Sequence, residues 1–327
     1  MVMGPLALDP GPWPVLTERG GVLMTSDIPV FVDIYYPGYD RWLDKYYRDQ
    51  AGPFEVIVFS PGYGTPATAY EDYLNYWASW GFVVAGVSWE YEDDRADDVA
   101  YQDHGKVLDL LDQMASEGDW RDPFYGVPNT DRSGAVGHSR GGRAAFQATS
   151  QEDRILCASA WMPTLNDSLE VGGGASLQLF GGDADEIAPP DEWQVPLYES
   201  IDDDIVYIEV FGGDHGTDRD LHPVMALDLF RFHLKDDRSV ESNLQGDELK
   251  GRAESDEFRL RMKMGGEEYD SHPELSPQPT PPTGDDTSGS GGVFLFLIIA
   301  LGLGTLIFGL HNERYKKVFK PGPRKRD

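Results

Sequence analysis

The chain of 327 residues predicts an α/β fold, in which a mostly parallel central sheet is flanked by helices and followed by a disordered stalk and a C-terminal transmembrane helix. Three observations lead there. Short runs rich in Val, Ile and Phe alternate with longer amphipathic stretches, the pattern of a sheet covered on both faces. A Pro/Ser/Gly/Asp-rich segment without apolar periodicity follows them. Beyond it runs an eighteen-residue stretch with no charge.

The strands and helices read off in order. FEVIVFS at Phe54–Ser60 is a strand, and a helix from Ala69 to Trp80 follows a Pro/Gly/Thr turn. Phe82 to Trp89 is the next strand and His104 to Ser116 the next helix. Ser133 to Gly137 is a short strand, with a helix opening near Arg140. Later strands fall at Ala158 to Trp161, Leu177 to Phe180 and Ile205 to Phe211, before a closing helix from Leu221 to Leu234. The domain is expected to span residues 1–237, with an acidic stalk over 238–292, the membrane helix over 293–310 and a basic tail over 311–327.

Charge narrows the partners. Asp and Glu number 57 against 27 Lys and Arg, and up to residue 235 the count is 41 against 14. An excess this large repels nucleic acid and anionic membrane surfaces, and suits a protein kept soluble in salty water. The single cysteine, Cys157, allows no intrachain disulfide and is expected as a small core residue.

Chemistry enters at Gly137-His138-Ser139-Arg140-Gly141-Gly142, which matches Gly-x-Ser-x-Gly. The pattern alone is weak in a Gly-rich chain. Its setting between the apolar SGAV and the helix former RAAFQATS is the strand–turn–helix that a nucleophile elbow demands. An elbow places Ser139 at a helix N-terminus, where the Arg140 N–H can donate to an oxyanion. A second donor is expected from the loop Ser60-Pro61-Gly62-Tyr63-Gly64-Thr65, through the Tyr63 N–H, with the Tyr63 ring lining the acyl pocket.

A serine hydroxyl needs a neighbouring imidazole to take its proton, and the imidazole needs a carboxylate to fix its tautomer. In an α/β-hydrolase fold these follow in the order Ser, Asp or Glu, His. His215 lies in a Gly-rich loop directly after the strand IVYIEV, whereas His222 and His233 fall in the following helix and read as surface or core residues. The acid is expected in GGDADEIAPP, where mechanism alone leaves Asp183 and Asp185 open.

With these pieces the chain resembles the polyester hydrolases and cutinase-like enzymes of the dienelactone hydrolase branch, including the PET hydrolases. Pro61-Gly62-Tyr63, WGFVV, the serine elbow, Asp185-Glu186-Ile187-Ala188-Pro189 and GGDH ending at His215 carry the likeness, over about residues 10–237. The resemblance implies Asp185 as the acid, Tyr63 as an oxyanion donor and Trp161, in AWMP, as an aromatic clamp on the substrate. It implies cleavage of carboxylic esters, with polyester or cutin-like substrates and no cofactor or metal. Arg140 stands where those enzymes usually carry Met, and their C-terminal disulfide is missing. The elbow itself is more similar to chlorophyllases, and the loop to platelet-activating-factor acetylhydrolases, so a lipid or pigment esterase is a second expectation. A catalytically silent surface-adhesion module is a third.

VFLFLIIALGLGTLIFGL at 293–310 is long enough to cross most of a bilayer core of about 30 Å. Seven basic residues against two acidic ones follow it, so the C-terminus is expected in the cytoplasm and the catalytic domain outside. The N-terminus shows neither a basic n-region nor an apolar h-region, so either the true start lies upstream, which the charge asymmetry favours, or the domain is cytoplasmic and tail-anchored.

Overall fold

The structure is a computed structural model that describes residues 8–25, 28–38, 52–89, 100–117, 123–164, 169–216, 221–254 and 258–275. Ten strands form one sheet in the order β1-β2-β4-β3-β5-β6-β7-β8-β9-β10. They are β1 (Val15–Thr25), β2 (Ile28–Pro37), β3 (Phe54–Ser60), β4 (Val83–Trp89), β5 (Pro128–His138), β6 (Ile155–Trp161), β7 (Ser176–Gly182), β8 (Ile205–Val210), β9 (Phe258–Met264) and β10 (Glu267–Asp270). Strands β3 to β8 pair in parallel, and the antiparallel β1, β2 and β9, β10 flank them. The helices are α1 (Glu71–Ser79), α2 (Gln102–Glu117), α3 (Arg140–Ala148), α4 (Gln194–Ser200), α5 (Leu221–Lys235), α6 (Glu241–Leu244) and α7 (Asp247–Ala253).

The near-continuous apolar runs are explained by this layering, since a parallel strand covered on both faces cannot alternate with polar residues. In β3 the side chains of Val56 and Val58 enter one core with Leu108 of α2 and Phe146 of α3. Ile57 and Phe59 point the other way, into a core with Trp77 of α1 and Phe230 of α5. Cys157 lies on β6 and is fully buried, and burial pushes its thiol well above the ordinary range.

The chain reverses its direction of travel across the sheet between β3 and β5. From β3 it moves to β4 on one side, then returns to place β5 on the other. Such a switch opens a crevice at the carboxyl ends of the two strands, where sites in this architecture form. Ser60 and Gly137 pair across that edge, so the loops that leave β3 and β5 emerge side by side.

Two parts of the fold differ from the expectation. Residues 238–275 do not begin a stalk: α6, α7, β9 and β10 extend the domain, and β9 pairs with β8. Val240, Leu244, Leu249, Phe258, Leu260 and Met262 enter the same core as α5, which explains why the segment folds despite its charge. The hairpin β1–β2 was not anticipated, although IPVFVDIYY is a run of β-branched and aromatic residues that suits a strand. Among the described residues no helix is long and apolar enough to cross a membrane, and the expected span at 293–310 lies outside them, as do the rest of the stalk and the basic tail.

Two buried histidines set an acid limit on stability. Burial lowers His104 from 6.5 to about 4 and His222 from 6.5 to about 3. Both stay neutral in the folded chain while the unfolded chain takes up their protons near pH 6.5. Stability is therefore full above that pH and falls as the solution is acidified toward the folded values. Each histidine contributes a slope of about 1.4 kcal/mol per pH unit in this window. His222 packs on Trp161 and Phe180, with ring centroids 5.5 and 4.5 Å away, and its Nε2 has no hydrogen-bond partner among the described residues. His222→Leu should thus fold, and urea midpoints at pH 5 and 6.5 should differ less than in the wild type by that one-histidine slope. An unchanged difference would show that His222 does not control acid sensitivity.

Candidate active site

The turn from β5 to α3 is built around Ser139. Its backbone sits at φ 55° and ψ −119°, a conformation sterically costly for a residue with a Cβ. The Ser139 N–H donates to the Trp161 carbonyl at the end of β6 (2.8 Å), which holds the turn against the sheet. A Cβ added at Gly141 would run into the carbonyls of Ser60 and Pro61, so only glycine lets α3 approach β3 this closely.

The loop leaving β3 lies against this turn. A Cβ at Gly62 would stand 3.5 Å from the Ser139 Cβ and 3.2 Å from the His138 Nδ1. Tyr63, the next residue, is 51% exposed. Its ring is covered on one side by Arg140, whose guanidinium carbon lies 5.0 Å from the Tyr63 ring centroid and 4.5 Å from that of Trp89. Arg140 was expected to act through its backbone. Its side chain also joins the loop after β3 to the end of β4 by cation–π contact.

The loops after β7 and β8 carry Asp185 and His215. The His215 Nδ1–H donates to the Asp185 Oδ2 at 2.7 Å. The Asp185 Oδ1 accepts from the N–H groups of Ile187 (2.9 Å) and Ala188 (2.8 Å). The Asp185 side chain is 0% exposed and that of His215 15%. Asp183, the competing acid, faces elsewhere and accepts from the Gly212 N–H at 2.5 Å. That bond and one from the Ala184 N–H to the Gly213 carbonyl (2.9 Å) lace the two loops together.

His138, which sequence reading passed over as the variable position of the elbow, lies between these parts. Its ring centroid is 4.9 Å from that of His215, and its Nε2 is 2.7 Å from the His215 carbonyl oxygen. The only signal for it was an imidazole standing beside the serine.

Trp161 is corrected. The expected substrate clamp is 2% exposed, donates its indole N–H to Ser159 Oγ (3.0 Å) and packs on Phe59, Tyr73 and Trp77. It serves as a core residue whose carbonyl anchors the elbow. The exposed apolar side chains near the site are instead Tyr63 and Ile187, the latter 65% exposed and two residues past Asp185. No group of three or more His, Cys, Asp or Glu among the described residues is arranged to hold a metal ion.

A family model described as PETase, PET hydrolase-like, matches residues 33–240. The chain belongs to the PET hydrolase-like family. No curated protein sequence matches it. Membership of the PET hydrolase-like family assigns the general reaction, ester hydrolysis, and agrees with the mostly parallel sheet and its flanking helices. The matched span begins within β2 and ends in the turn before α6, so the β9–β10 hairpin lies beyond the part held in common.

Proposed function

We propose that the protein is a serine ester hydrolase in which Ser139, His215 and Asp185 act as nucleophile, base and orienting acid. The observation that carries this reading is a histidine whose Nδ1 is already committed to a buried carboxylate and whose carbonyl meets His138, the residue directly before the strained Ser139 turn. With Nδ1 so engaged, Nε2 of His215 is left for the serine. Ser139 Oγ attacks the ester carbonyl carbon as its proton passes to that nitrogen. The N–H groups of Tyr63 and Arg140 hold the oxyanion, and the helix N-terminus adds to the field that stabilises it. Collapse breaks the bond to the alcohol, which leaves with the proton from His215. Water then repeats the sequence on the acyl-serine and releases the acid. Asp185 stays ionised throughout.

An apolar acyl or alcohol group suits the exposed Tyr63 and Ile187 on the two loops beside the site. We extend the proposal to polyester or cutin-like substrates on that ground and on the family. A fluorophosphonate probe should label the wild-type protein at one site and leave Ser139→Ala unlabelled, while the wild type releases soluble acid from an amorphous aromatic polyester film. Equal labelling of both proteins would sink the serine mechanism. Labelling with activity only on long-chain lipid esters would remove the polyester substrate and keep the mechanism.

A further inference from the structure

We infer that His138 is a positioning residue, a tautomer-locked tether that holds His215 in place for the reaction, and that Tyr70 sets its tautomer. This inference rests on the proposed roles of Ser139 and His215 and assigns a task that the nucleophile, acid and oxyanion donors do not cover. A carbonyl oxygen can only accept, so the 2.7 Å contact requires the proton on His138 Nε2, donated to the His215 carbonyl. In the neutral ring Nδ1 is then an acceptor, and the Tyr70 hydroxyl meets it at 2.8 Å. Tyr70 is itself fixed at the entry to α1, where its ring lies 4.8 Å from that of Phe59 in the core.

The chain of contacts therefore runs from the core through Tyr70 and His138 to the main chain of His215. Asp185 restrains the His215 ring from the other side, at Nδ1. A side chain held at one ring nitrogen alone can still swing with its loop. Holding the carbonyl of the same residue removes that freedom. His138 also lies next to Gly62, so one ring stands between the loop after β3 and the loop that carries His215. A misplacement of about 1 Å can cost on the order of a hundredfold in rate. The tether is therefore expected to act on kcat and not on substrate affinity.

The test compares His138→Phe, His138→Gln and Tyr70→Phe with the wild type on a soluble ester, with melting temperature as a check on folding. His138→Phe should lower kcat by about thirtyfold with KM nearly unchanged. His138→Gln keeps an N–H at the end of the side chain and should recover kcat to within about threefold of the wild type, a rescue that simple packing would not produce. Tyr70→Phe leaves both rings in place and should lower kcat by about threefold to tenfold, which keeps the inference testable should His138→Phe fail to fold. An unchanged kcat in Tyr70→Phe, or a His138→Gln protein as slow as His138→Phe, overturns the tether. Ser139→Ala is measured alongside. If it is inactive while the tether variants are normal, only this inference fails, and if it stays active the underlying mechanism fails as well.

Discussion

Replacing Ser139 with alanine should lower kcat by about a millionfold, the scale seen when a nucleophile of this kind is removed, while leaving the fold intact. The second half of that expectation comes from the turn. The Ser139 side chain makes no capping hydrogen bond to α3, so its hydroxyl contributes no bond that the fold would miss. The positive φ remains costly for alanine as it is for serine. Ser139→Gly should go further, abolishing activity and raising the melting temperature, because glycine adopts this conformation with about 1 kcal/mol less strain. Rates on a soluble ester and thermal melts of the three proteins provide the check. A residual kcat above about a hundredth of the wild type would rule out Ser139 as nucleophile.

Asp185→Asn should lower kcat by about ten-thousandfold, and the geometry supplies the reason. Two backbone N–H groups, of Ile187 and Ala188, point at the Asp185 Oδ1. An asparagine must present its carbonyl oxygen to them, which turns its amide N–H toward the His215 Nδ1. The histidine is then driven to carry its proton on Nε2, the nitrogen that has to receive the proton of the serine. Asp183→Asn is the matched control. Its carbonyl can still accept from the Gly212 N–H, so kcat should stay within about threefold, the scale of a surface substitution. A comparable loss in both variants would mean that the two carboxylates act through the structure of the loops and not through the tautomer of His215.

The positions of the parallel strands along the chain were readable because strands buried on both faces announce themselves as apolar runs, whereas their order in the sheet was not. FEVIVFS coincides with β3, and the loop after IVYIEV does contain the histidine that meets a carboxylate. The choice of Asp185 over Asp183 was not readable from mechanism, since the two lie in one loop and differ only in which way the backbone turns them. Trp161 misled because the resemblance sets an aromatic clamp near this point of the chain, whereas a large aromatic at the end of a central strand here goes inward. His138 escaped notice because the partner that ties it to His215 is a main-chain carbonyl, a group that no side-chain pattern marks. In β9 the alternation Phe258, Leu260, Met262 was present but obscured by Arg259, Arg261 and Lys263, whose charges suggested exposure. Arg259 is in fact largely buried and paired with Asp270 at 2.6 Å.

Without β9 and β10, the strand leading to His215 would end the sheet, with a row of unsatisfied amides and carbonyls inviting any passing extended chain. The hairpin moves that exposed rim outward to a strand of four residues, Glu267-Glu268-Tyr269-Asp270. A rim so short and so acidic repels the same rim on another molecule, a charge-guarded end of the kind that keeps open sheets from stacking into fibres. Part of the large negative charge of the chain thus stands guard against self-association, at the place where an open sheet is most vulnerable to it.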